Sequence, residues 1–456
     1  MARKVIVQIG RLDKSFRNKI SFSYHDQKGE AELSSQFLLS LKEFKGAQRI
    51  LIFPKSIIFQ DAILKFKDKE EFFEEVDKVE PNQYLKSPEK LLLKHPHVNR
   101  SCDLLVLSSF GSFKFKSKEI ALKSNLEIIT LQIYSYLISQ YGEDDLEEIY
   151  IDISSGHNIY ITALINALYR LVPFIKFKRF LHNENERINS FILNSDPIIP
   201  GINKTIKIQK SKFSAKAFNS FTYKNSTSMA ALVKRIFKEK TYYNELYNYV
   251  KNEYFILHGS FIYSIPLMLS IVDEKQLSNL FDEIGIINIL TDLYVYMNKV
   301  TPDSFKYQDS MFFSFTYALA IGHSVYFKFK NFIKKQELEF NLKEDSIENL
   351  AIKEISEIMH NMYNRPESSF LNELKMIYKD LKEIDNKETK GYLSGAKIKN
   401  KINPDYQIRN MFDPRNYFAH QGCELNCTEL KIEENKLWVK YNGLINKKSI
   451  LKYLKK

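Results

Sequence analysis

Four short apolar runs in the first part of the chain constrain its fold more than any other feature. Each run is nearly continuous in Val, Ile and Leu and is bounded by turn residues, which is typical of strands covered on both faces. Helical periodicity follows the third and fourth runs, so strands and helices are expected to alternate. The predicted strands are residues 4–10, 49–53, 103–108 and 148–153, and the predicted helices are residues 118–141 and 159–172.

Alternation of this kind predicts an open, mostly parallel sheet with helices on both sides. Residues 176–181 and 188–193 have the pattern of an antiparallel strand pair that closes the sheet. The composition then changes after residues 197–200, which begin and end with Pro. We therefore predict an α/β, Rossmann-like N-terminal domain over residues 1–200.

A chain of 456 residues is too long for one hydrophobic core, and about 150 residues per domain predicts two or three domains. Residues 201–290 are predicted to form a basic, mostly helical connector. Between Lys204 and Lys240, nine Lys and one Arg stand against one Glu, with Phe and Tyr interleaved. This segment is either a solvated linker or a groove for a phosphate backbone with rings for base stacking.

Residues 291–456 are predicted to form a helical C-terminal domain. Asp345 and Glu348 resemble a capping box that opens one helix, and another helix is expected over residues 370–384. Residues 429–432 and 437–441 flank a polar turn and predict a small β-hairpin near the C-terminus.

The net charge of +12, from 67 Lys and Arg against 55 Asp and Glu, favours a polyanionic partner, either nucleic acid or a membrane surface. Two uncharged stretches, residues 255–272 and 311–327, bear on the membrane alternative. Polar groups interrupt both, so buried helices and no membrane partner are expected. Three Cys cannot build a disulfide framework and no leader precedes the first strand, so a reducing cytoplasm is the expected location.

The first candidate site is the junction between strand 148–153 and the helix that follows it. In an open parallel sheet, ligands bind at the carboxyl ends of strands, where helix N-termini offer free N–H groups. Small hydroxyl residues and Gly156 let the backbone approach a phosphate or ribose, although an ordinary turn capped by Asn158 has the same composition. The candidate ligand-binding residues are Gly10, Arg11, Ser108, Ser109, Asp152, Ser154, Ser155, Gly156, His157 and Asn158.

The second candidate site is a short predicted helix near the end of the chain. Asp413 fits an N-cap, Pro414 fits a first helical residue and Gly422 fits the stop. Arg415 and His420 are five residues apart, so on one helix they point roughly 140° away from each other. One helix cannot easily aim both side chains at a single phosphate, whereas two copies at a two-fold axis can share a cleft.

These residue types can cleave RNA without a metal ion. A histidine near neutrality takes the 2′-hydroxyl proton or protonates the leaving 5′-oxygen, and an arginine fork holds the phosphate. The spacing by itself is also compatible with a surface Arg and a capping or core His. Arg409 is either a second phosphate contact or a solvated helix end.

The two segments, in this order, resemble the CRISPR-associated CARF–HEPN ribonucleases of type III systems. In that family an N-terminal Rossmann-like CARF domain senses a cyclic oligoadenylate, commonly the tetra-adenylate. A helical HEPN domain cuts single-stranded RNA through an Arg-x4–6-His motif, usually with a polar residue after the Arg. Arg415, Asn416 and His420 match this motif and are thereby implied as the catalytic residues.

The CARF loop of close relatives is similar to Asp-Ile-Thr-His-Gly-x-Asn at a strand end. Asp152, Gly156 and Asn158 align with it, whereas Ser155 stands where a His is usual and His157 comes two positions later. The resemblance implies single-stranded RNA as substrate, cyclic tetra-adenylate as activator and no cofactor or metal for catalysis. It also implies a homodimer or a higher assembly of dimers.

Two other functions fit parts of the sequence. A ligand-sensing transcription regulator would use residues 205–300 as a helix-turn-helix on DNA and would need no nuclease chemistry. A nucleotide-dependent oxidoreductase would need Gly-x-Gly-x-x-Gly after the first strand, but Gly10 stands alone there. Cys423 and Cys427 supply half a zinc site at most, so small buried thiols are expected at those positions.

Overall fold

The computed structural model describes the greater part of the chain as two compact units. The described residues are 3–12, 18–59, 71–98, 102–142, 146–179, 188–196, 205–215, 226–263, 265–301, 309–333, 335, 337–343, 346–349, 352–354, 369–384, 391–409, 411–420, 422–434, 436–445 and 447–455. The first unit comprises Met1–Arg179, Asn183–Ser220 and Ile286–Phe313, and the second comprises Phe180–His182, Phe221–Gly285 and Ser314–Lys456.

The strands of the first unit are β1 Arg3–Ile9, β2 Ile20–Tyr24, β3 Gln27–Ala31, β4 Gln48–Pro54, β5 Cys102–Leu107, β6 Gly111–Phe115, β7 Lys118–Leu122, β8 Leu146–Asp152, β9 Asn189–Ser195 and β10 Ile206–Phe213. Within the described ranges, eight of them form one sheet in the order β3-β2-β10-β9-β8-β1-β4-β5. The run from β9 to β5 is parallel throughout. The carboxyl ends of β8, β1, β4 and β5 therefore share one edge.

The α-helices are α1 Ser34–Leu39, α2 Glu71–Lys78, α3 Pro81–Lys86, α4 Pro88–Leu92, α5 Leu126–Tyr141, α6 Asn158–Arg179, α7 Ser226–Phe237, α8 Tyr243–Asn248, α9 Tyr254–Ile262, α10 Glu274–Ser278, α11 Ile286–Met297, α12 Asp309–Ile333, α13 Ser369–Lys382, α14 Gly395–Ile402, α15 Pro414–Ala419 and α16 Lys447–Leu454. In the first unit α5 packs against both α6 and α11.

The predicted α/β domain is confirmed, and its four strand predictions agree with β1, β4, β5 and β8. Those strands form the centre and one side of the sheet, and most of their side chains are buried. Their continuous apolar pattern follows from this burial on both faces. The sequence analysis missed β2, where serines alternate with apolar residues, and β3, a mostly polar strand at the edge of the sheet.

The predicted helix over residues 118–141 begins too early. Its first residues form β7, which pairs with β6 through a turn in which Lys116 and Ser117 both have positive φ, as a tight hairpin turn requires. Helix α5 starts only after Asn125, whose side chain accepts a hydrogen bond from the Ile128 N–H. Ile120 has helical spacing but lies on the strand.

The predicted strand over residues 176–181 is wrong for residues 176–179, because α6 continues through Pro173 to Arg179, and residues 180 and 181 lie outside the described residues. A proline inside a helix costs about 3 kcal/mol. Phe174, Ile175 and Phe177 are buried on the far side of that proline, and burying each such side chain contributes about 1.5–3 kcal/mol. The closing antiparallel pair consists instead of β9 and β10. Of the two segments predicted for this pair, only residues 188–193 correspond to a strand, β9.

Strand β10 lies in a segment that the sequence assigns to the connector. It completes the first sheet, and compactness also groups Ile286–Phe313 with the first unit. The predicted boundaries at 200/201 and 290/291 stay a prediction, since compactness is a different criterion from domain homology. The region 205–300, considered above as a helix-turn-helix, begins with this strand.

In the second unit, α8 and α9 join through a π-helical turn at Tyr249–Glu253, and a 3-10 turn at Pro266–Ile271 follows α9. The strands β11 Glu337–Lys343, β12 Ser346–Glu348, β13 Leu393–Ser394, β14 Thr428–Glu433 and β15 Lys436–Tyr441 form an antiparallel sheet in the order β12-β11-β15-β14-β13. The predicted C-terminal hairpin is confirmed as β14 and β15, and helix 370–384 corresponds to α13.

The capping box predicted at Asp345 is not the start of a helix. Ser346–Glu348 pairs with β11 as strand β12, and backbone pairing with a neighbouring strand overrides the local capping signal. Residues 352–354 of that predicted helix are helical, and the Asn349 side chain accepts a hydrogen bond from the Ile352 N–H at 3.0 Å. Asp345 and residues 350, 351 and 355–368 lie outside the described residues.

Of the described helices, α6 is long and apolar enough to cross a membrane by length and composition alone, and 56 % of its most apolar window is buried in the fold. Core helices of soluble proteins pass the same test. The two uncharged stretches weighed above fall on α9 with the turn after it, and on α12, where most of the described apolar side chains are buried and Phe327 is exposed.

Candidate functional site

A buried polar network lies beneath the loop that follows β8. The Asp152 side chain is fully buried. The Ser34 hydroxyl donates to Asp152 Oδ2 at 2.6 Å and the Ser154 N–H donates to Oδ1 at 2.9 Å. Burial raises the pKa of Asp152, and the hydrogen bonds from Ser154 and Ser34 oppose that shift. The carboxylate therefore holds the first residues of the loop from below.

The same network joins the loop to the end of β1. Buried Gln8 donates through Nε2 to Ser34 Oγ at 2.7 Å and to Ser155 Oγ at 3.1 Å. The Ser155 hydroxyl in turn donates to the Ile9 carbonyl at 3.0 Å. The sequence analysis missed Gln8 and Ser34 as supports of the loop, although a Gln inside an otherwise apolar strand was a visible signal.

Gly156 occupies a position that a side chain cannot share. Its φ is +115°, and a Cβ there would lie 2.7 Å from the side chain of Ile9. Gly10, at the end of β1, is similarly enclosed, because a Cβ would meet the ring of Phe53. Both glycines let two strand ends approach each other closely.

His157 and Asn158 are exposed at the beginning of α6. The His157 carbonyl accepts hydrogen bonds from the N–H groups of Tyr160 and Ile161, so His157 occupies the N-cap position. Asn158 is the first helical residue, so the alternative of an ordinary turn capped by Asn158 is wrong. The exposed N-terminus of this 22-residue helix faces the end of the sheet where ligands bind in open α/β folds.

The third predicted strand end makes different contacts. Ser108 binds Gln132 of α5 through its N–H at 3.0 Å and its hydroxyl at 2.9 Å. Ser109 is buried and its hydroxyl accepts from the Ser56 N–H at 3.0 Å. Arg11 is partly buried after β1. The structure thus brings Asp152, Ser154 and Ser155 together with β1, whereas Ser108 and Ser109 bind groups elsewhere on the same sheet edge.

The second site is built on α15. Asp413 caps the helix by accepting from the N–H groups of Arg415 at 2.9 Å and Asn416 at 3.4 Å, and Pro414 is the first helical residue, as predicted. Tyr417 and Phe418 are buried, whereas Arg415 and Asn416 are exposed. The Tyr417 hydroxyl is 2.9 Å from that of Tyr441 on β15. The helix is therefore anchored on its aromatic face and presents its polar residues to solvent.

His420 follows α15 as its C-cap, and its backbone N–H donates to the Asn416 carbonyl at 2.9 Å. Its Nδ1 lies 3.3 Å from Oε2 of Glu373 on α13. Gly422 ends the motif with a φ of +86°, and its N–H donates to the Tyr417 carbonyl. A Cβ at Gly422 would lie 2.4 Å from Ile265, so the chain reverses where only glycine fits.

A polar cleft of about 330 Å³ opens beside this motif, and Asn416 and His420 line it together with Arg409. Glu424 also lines it, is 2 % exposed and accepts a hydrogen bond from Asn426. The remaining lining residues are Tyr406, Gln407, Leu425 and Asn426. Arg409 therefore lies at the candidate site and is not a solvated residue at an unrelated helix end. Arg415 is exposed on α15 but does not line this cleft.

Within the described ranges, no group of three or more His, Cys, Asp or Glu is arranged to hold a metal ion. Cys423 and Cys427, which follow the motif, are buried free thiols, as expected from the sequence. Burial and then the nearby charge of Glu373 raise the pKa of Cys423. Burial and then Glu424 raise the pKa of Cys427, so both thiols favour the protonated form.

Two family models match the chain at the two sites. The model of the CARF domain of CRISPR system endoribonuclease Csx1 matches residues 5–197, and the model of the Csx1 HEPN domain matches residues 344–443. The first match contains the β8 loop and the second contains α15 and the cleft. None of the curated proteins compared with the chain matches it.

The HEPN match favours a nuclease over the transcription regulator and the oxidoreductase considered above, because neither alternative requires such a domain. The CARF match precedes the HEPN match along the chain, which is the domain order that the resemblance implies. The buried loop belongs to a ligand-sensing domain, and the exposed motif belongs to a ribonuclease domain. This chain is therefore a member of the CARF–HEPN family of CRISPR-associated endoribonucleases.

Proposed function

We propose that the protein cuts single-stranded RNA without a metal ion when a cyclic oligoadenylate, the tetra-adenylate in the first instance, binds its CARF domain. It would act in the cytoplasm as the antiviral effector of a type III CRISPR system. Arg415, Asn416 and His420 are the proposed catalytic residues. The single observation that carries this proposal is the cleft, since Asn416, His420 and Arg409 line one polar cavity beside a capped helix.

The chemistry follows from these side chains. His420 takes the proton of the 2′-hydroxyl, the 2′-oxygen attacks phosphorus, and the bond from phosphorus to the 5′-oxygen breaks. A second protonated imidazole gives its proton to the 5′-oxygen. The products are a 2′,3′-cyclic phosphate and a 5′-hydroxyl end. Arg415 and Arg409 stabilise the charge that develops on the phosphate oxygens, and the Asn416 amide orients the substrate.

Two copies of the chain are part of this proposal. Arg415 is exposed on α15 but does not line the cleft that contains His420. A homodimer with α15 near its two-fold axis would bring Arg415 of one copy to the cleft of the other and would supply the second imidazole. Higher assemblies of such dimers are compatible with the same contact.

The activator would bind at the carboxyl ends of the parallel strands. Gly10, Arg11 and the loop from Asp152 to Asn158 form the centre of this proposed site, and Ser108 and Ser109 form its edge. An activator phosphate would approach the backbone at Gly156 and the N-terminus of α6. Activation requires that the ligand bind the cutting-competent arrangement more tightly than the resting one.

The test is to incubate the purified protein with labelled single-stranded RNA in EDTA, with and without cyclic tetra-adenylate. We expect cutting that needs the activator but no divalent ion, and ends that carry a cyclic phosphate. Absence of cutting with cyclic activators of every ring size would refute the proposal. Cutting that depends on a divalent ion would refute its metal-free mechanism.

A further inference from the structure

A side chain from outside the Arg415–His420 motif lies within hydrogen-bond distance of the His420 ring. Glu373 is 47 residues earlier in sequence, and its Oε2 lies 3.3 Å from His420 Nδ1. The Glu373 side chain is 27 % exposed and that of His420 is 52 % exposed, so solvent screens this pair only in part. No motif that includes His420 predicts this carboxylate.

The position of Glu373 is set by the packing of α13. Phe370, Leu374, Ile377 and Leu381 are buried along one face of this helix. Glu373 is three residues after Phe370 and four before Ile377, so it lies beside that buried face. The apolar anchoring of α13 therefore holds the carboxylate against the motif, and its charge also acts on neighbouring Cys423.

We infer that Glu373 is a positioning residue for His420. Its carboxylate holds the imidazole with the ring proton on Nδ1, so that Nε2 is free to act in the cleft. This inference rests on the proposed nuclease function. A carboxylate at one ring nitrogen fixes the tautomer and the ring orientation of a histidine.

Other charged groups face His420 as well. Arg409 and Glu424 line the same cleft, and Tyr406 also lines it. Asp413 and Arg415 belong to the capped helix that His420 ends. Neither Arg409 nor Glu424 forms the direct hydrogen bond to the ring that Glu373 forms.

The test compares Glu373→Gln, which keeps the shape of the side chain without its charge, with Glu373→Asp, which keeps the charge on a shorter side chain. We expect Glu373→Gln to lower kcat by about 10-fold, because the imidazole loses the carboxylate that holds its tautomer and its orientation. KM for RNA and binding of the activator should change less than about 2-fold, because Glu373 belongs to neither binding site. Glu373→Asp should recover part of the lost rate.

Asp380→Asn is the matched control, because Asp380 lies on the same helix and pairs with Lys399 at 2.9 Å. This variant should retain the wild-type rate and pH profile. If it reproduces the Glu373→Gln defect, loosening of α13 explains the loss and the inference is overturned. Increased cutting by Glu373→Gln in the absence of activator would also overturn it, because Glu373 would then restrain His420 instead of preparing it.

A spectroscopic readout separates this inference from the proposed function. Nitrogen chemical shifts of the His420 ring, assigned with His420→Gln, should report protonated Nδ1 in the wild type and a mixture of tautomers in Glu373→Gln. The same tautomer mixture in both proteins would refute the inference. If the wild type cuts no RNA with any activator, the proposed function fails while these spectra still decide the role of Glu373.

Discussion

The loop after β8 and the motif on α15 both contain polar residues, but the polar side chains that support the loop are buried, whereas those of the motif are exposed. Around the loop, Asp152, Ser34 and Gln8 are buried and bind one another. At the motif, Arg415, Asn416 and His420 are exposed on a helix anchored only by its aromatic side. Under the proposed function, this contrast means that the backbone of the ligand loop is ordered before binding, whereas the proposed catalytic side chains stay accessible to substrate and to a second copy.

The largest expected effect concerns the exposed site. His420→Ala and Arg415→Ala should each lower activator-dependent RNA cutting by about 10²–10⁴-fold, because positioned acid–base and electrostatic catalysis contributes that much. Binding of cyclic tetra-adenylate and the melting temperature should stay at wild-type values, since both side chains are exposed. Cleavage assays, calorimetric titration and thermal melts measure the three quantities. Normal cutting by either variant would show that the motif is not catalytic.

The next largest effect concerns the buried loop. Gly156→Ala should destabilise the protein by about 1–3 kcal/mol, because a positive φ is strained with a side chain and the new Cβ would meet Ile9. The activator should bind more weakly and less RNA should be cut at a fixed activator concentration. Gly443→Ala is the control, because a Cβ at Gly443 has nothing within 4 Å. If the two variants have the same stability, activator affinity and cutting rate, the loop after β8 does not require glycine at position 156, and its contrast with the exposed motif fails.

A smaller effect tests how firmly the motif is anchored. Tyr441→Phe removes the hydroxyl that lies 2.9 Å from the Tyr417 hydroxyl, and loss of one such hydrogen bond costs about 1 kcal/mol. Denaturant unfolding should detect this loss. The cutting rate should fall less than in His420→Ala, because α15 keeps its Asp413 cap. A loss of rate as large as that of His420→Ala would mean that the tyrosine pair, and not the exposed residues, dominates the site.

The smallest expected effect is the pH dependence of stability. Burial raises the pKa of Asp152 above its ordinary value, so the folded state binds more protons than the unfolded state between the two values. The stability contributed by Asp152 is therefore complete at a pH below the pKa that Asp152 has in the unfolded state. It is lost as the pH rises through the pKa that Asp152 has in the folded state. Relative to Asp152→Asn, the wild type should gain stability on mild acidification, as measured by urea unfolding between about pH 4 and pH 7. A constant difference between the two proteins would contradict the raised pKa.

Local sequence signals predicted the secondary structure correctly where residues within a single element determine it. The four apolar strands, the C-terminal hairpin, the cap at Asp413 and the stop at Gly422 all follow from periodicity and from residues with one dominant backbone preference. The same signals failed where distant contacts compete with them. Pro173 does not end α6 because buried aromatic residues beyond it stabilise the helix, and Ser346–Glu348 pairs with β11 in spite of its capping pattern.

The sequence by itself determined the order of the two domains, the positions of the Arg415–His420 motif and the β8 loop, and the chemistry that those residue types allow. Only the tertiary structure decided that Gln8 and Ser34 support Asp152, that Arg409 lines the cleft, and that Glu373 lies against His420. The physical reason is that hydrogen bonds between side chains act over about 3 Å in space and have no fixed separation along the chain. Glu373 and His420 are 47 residues apart, and their contact exists only because α13 packs by its apolar face.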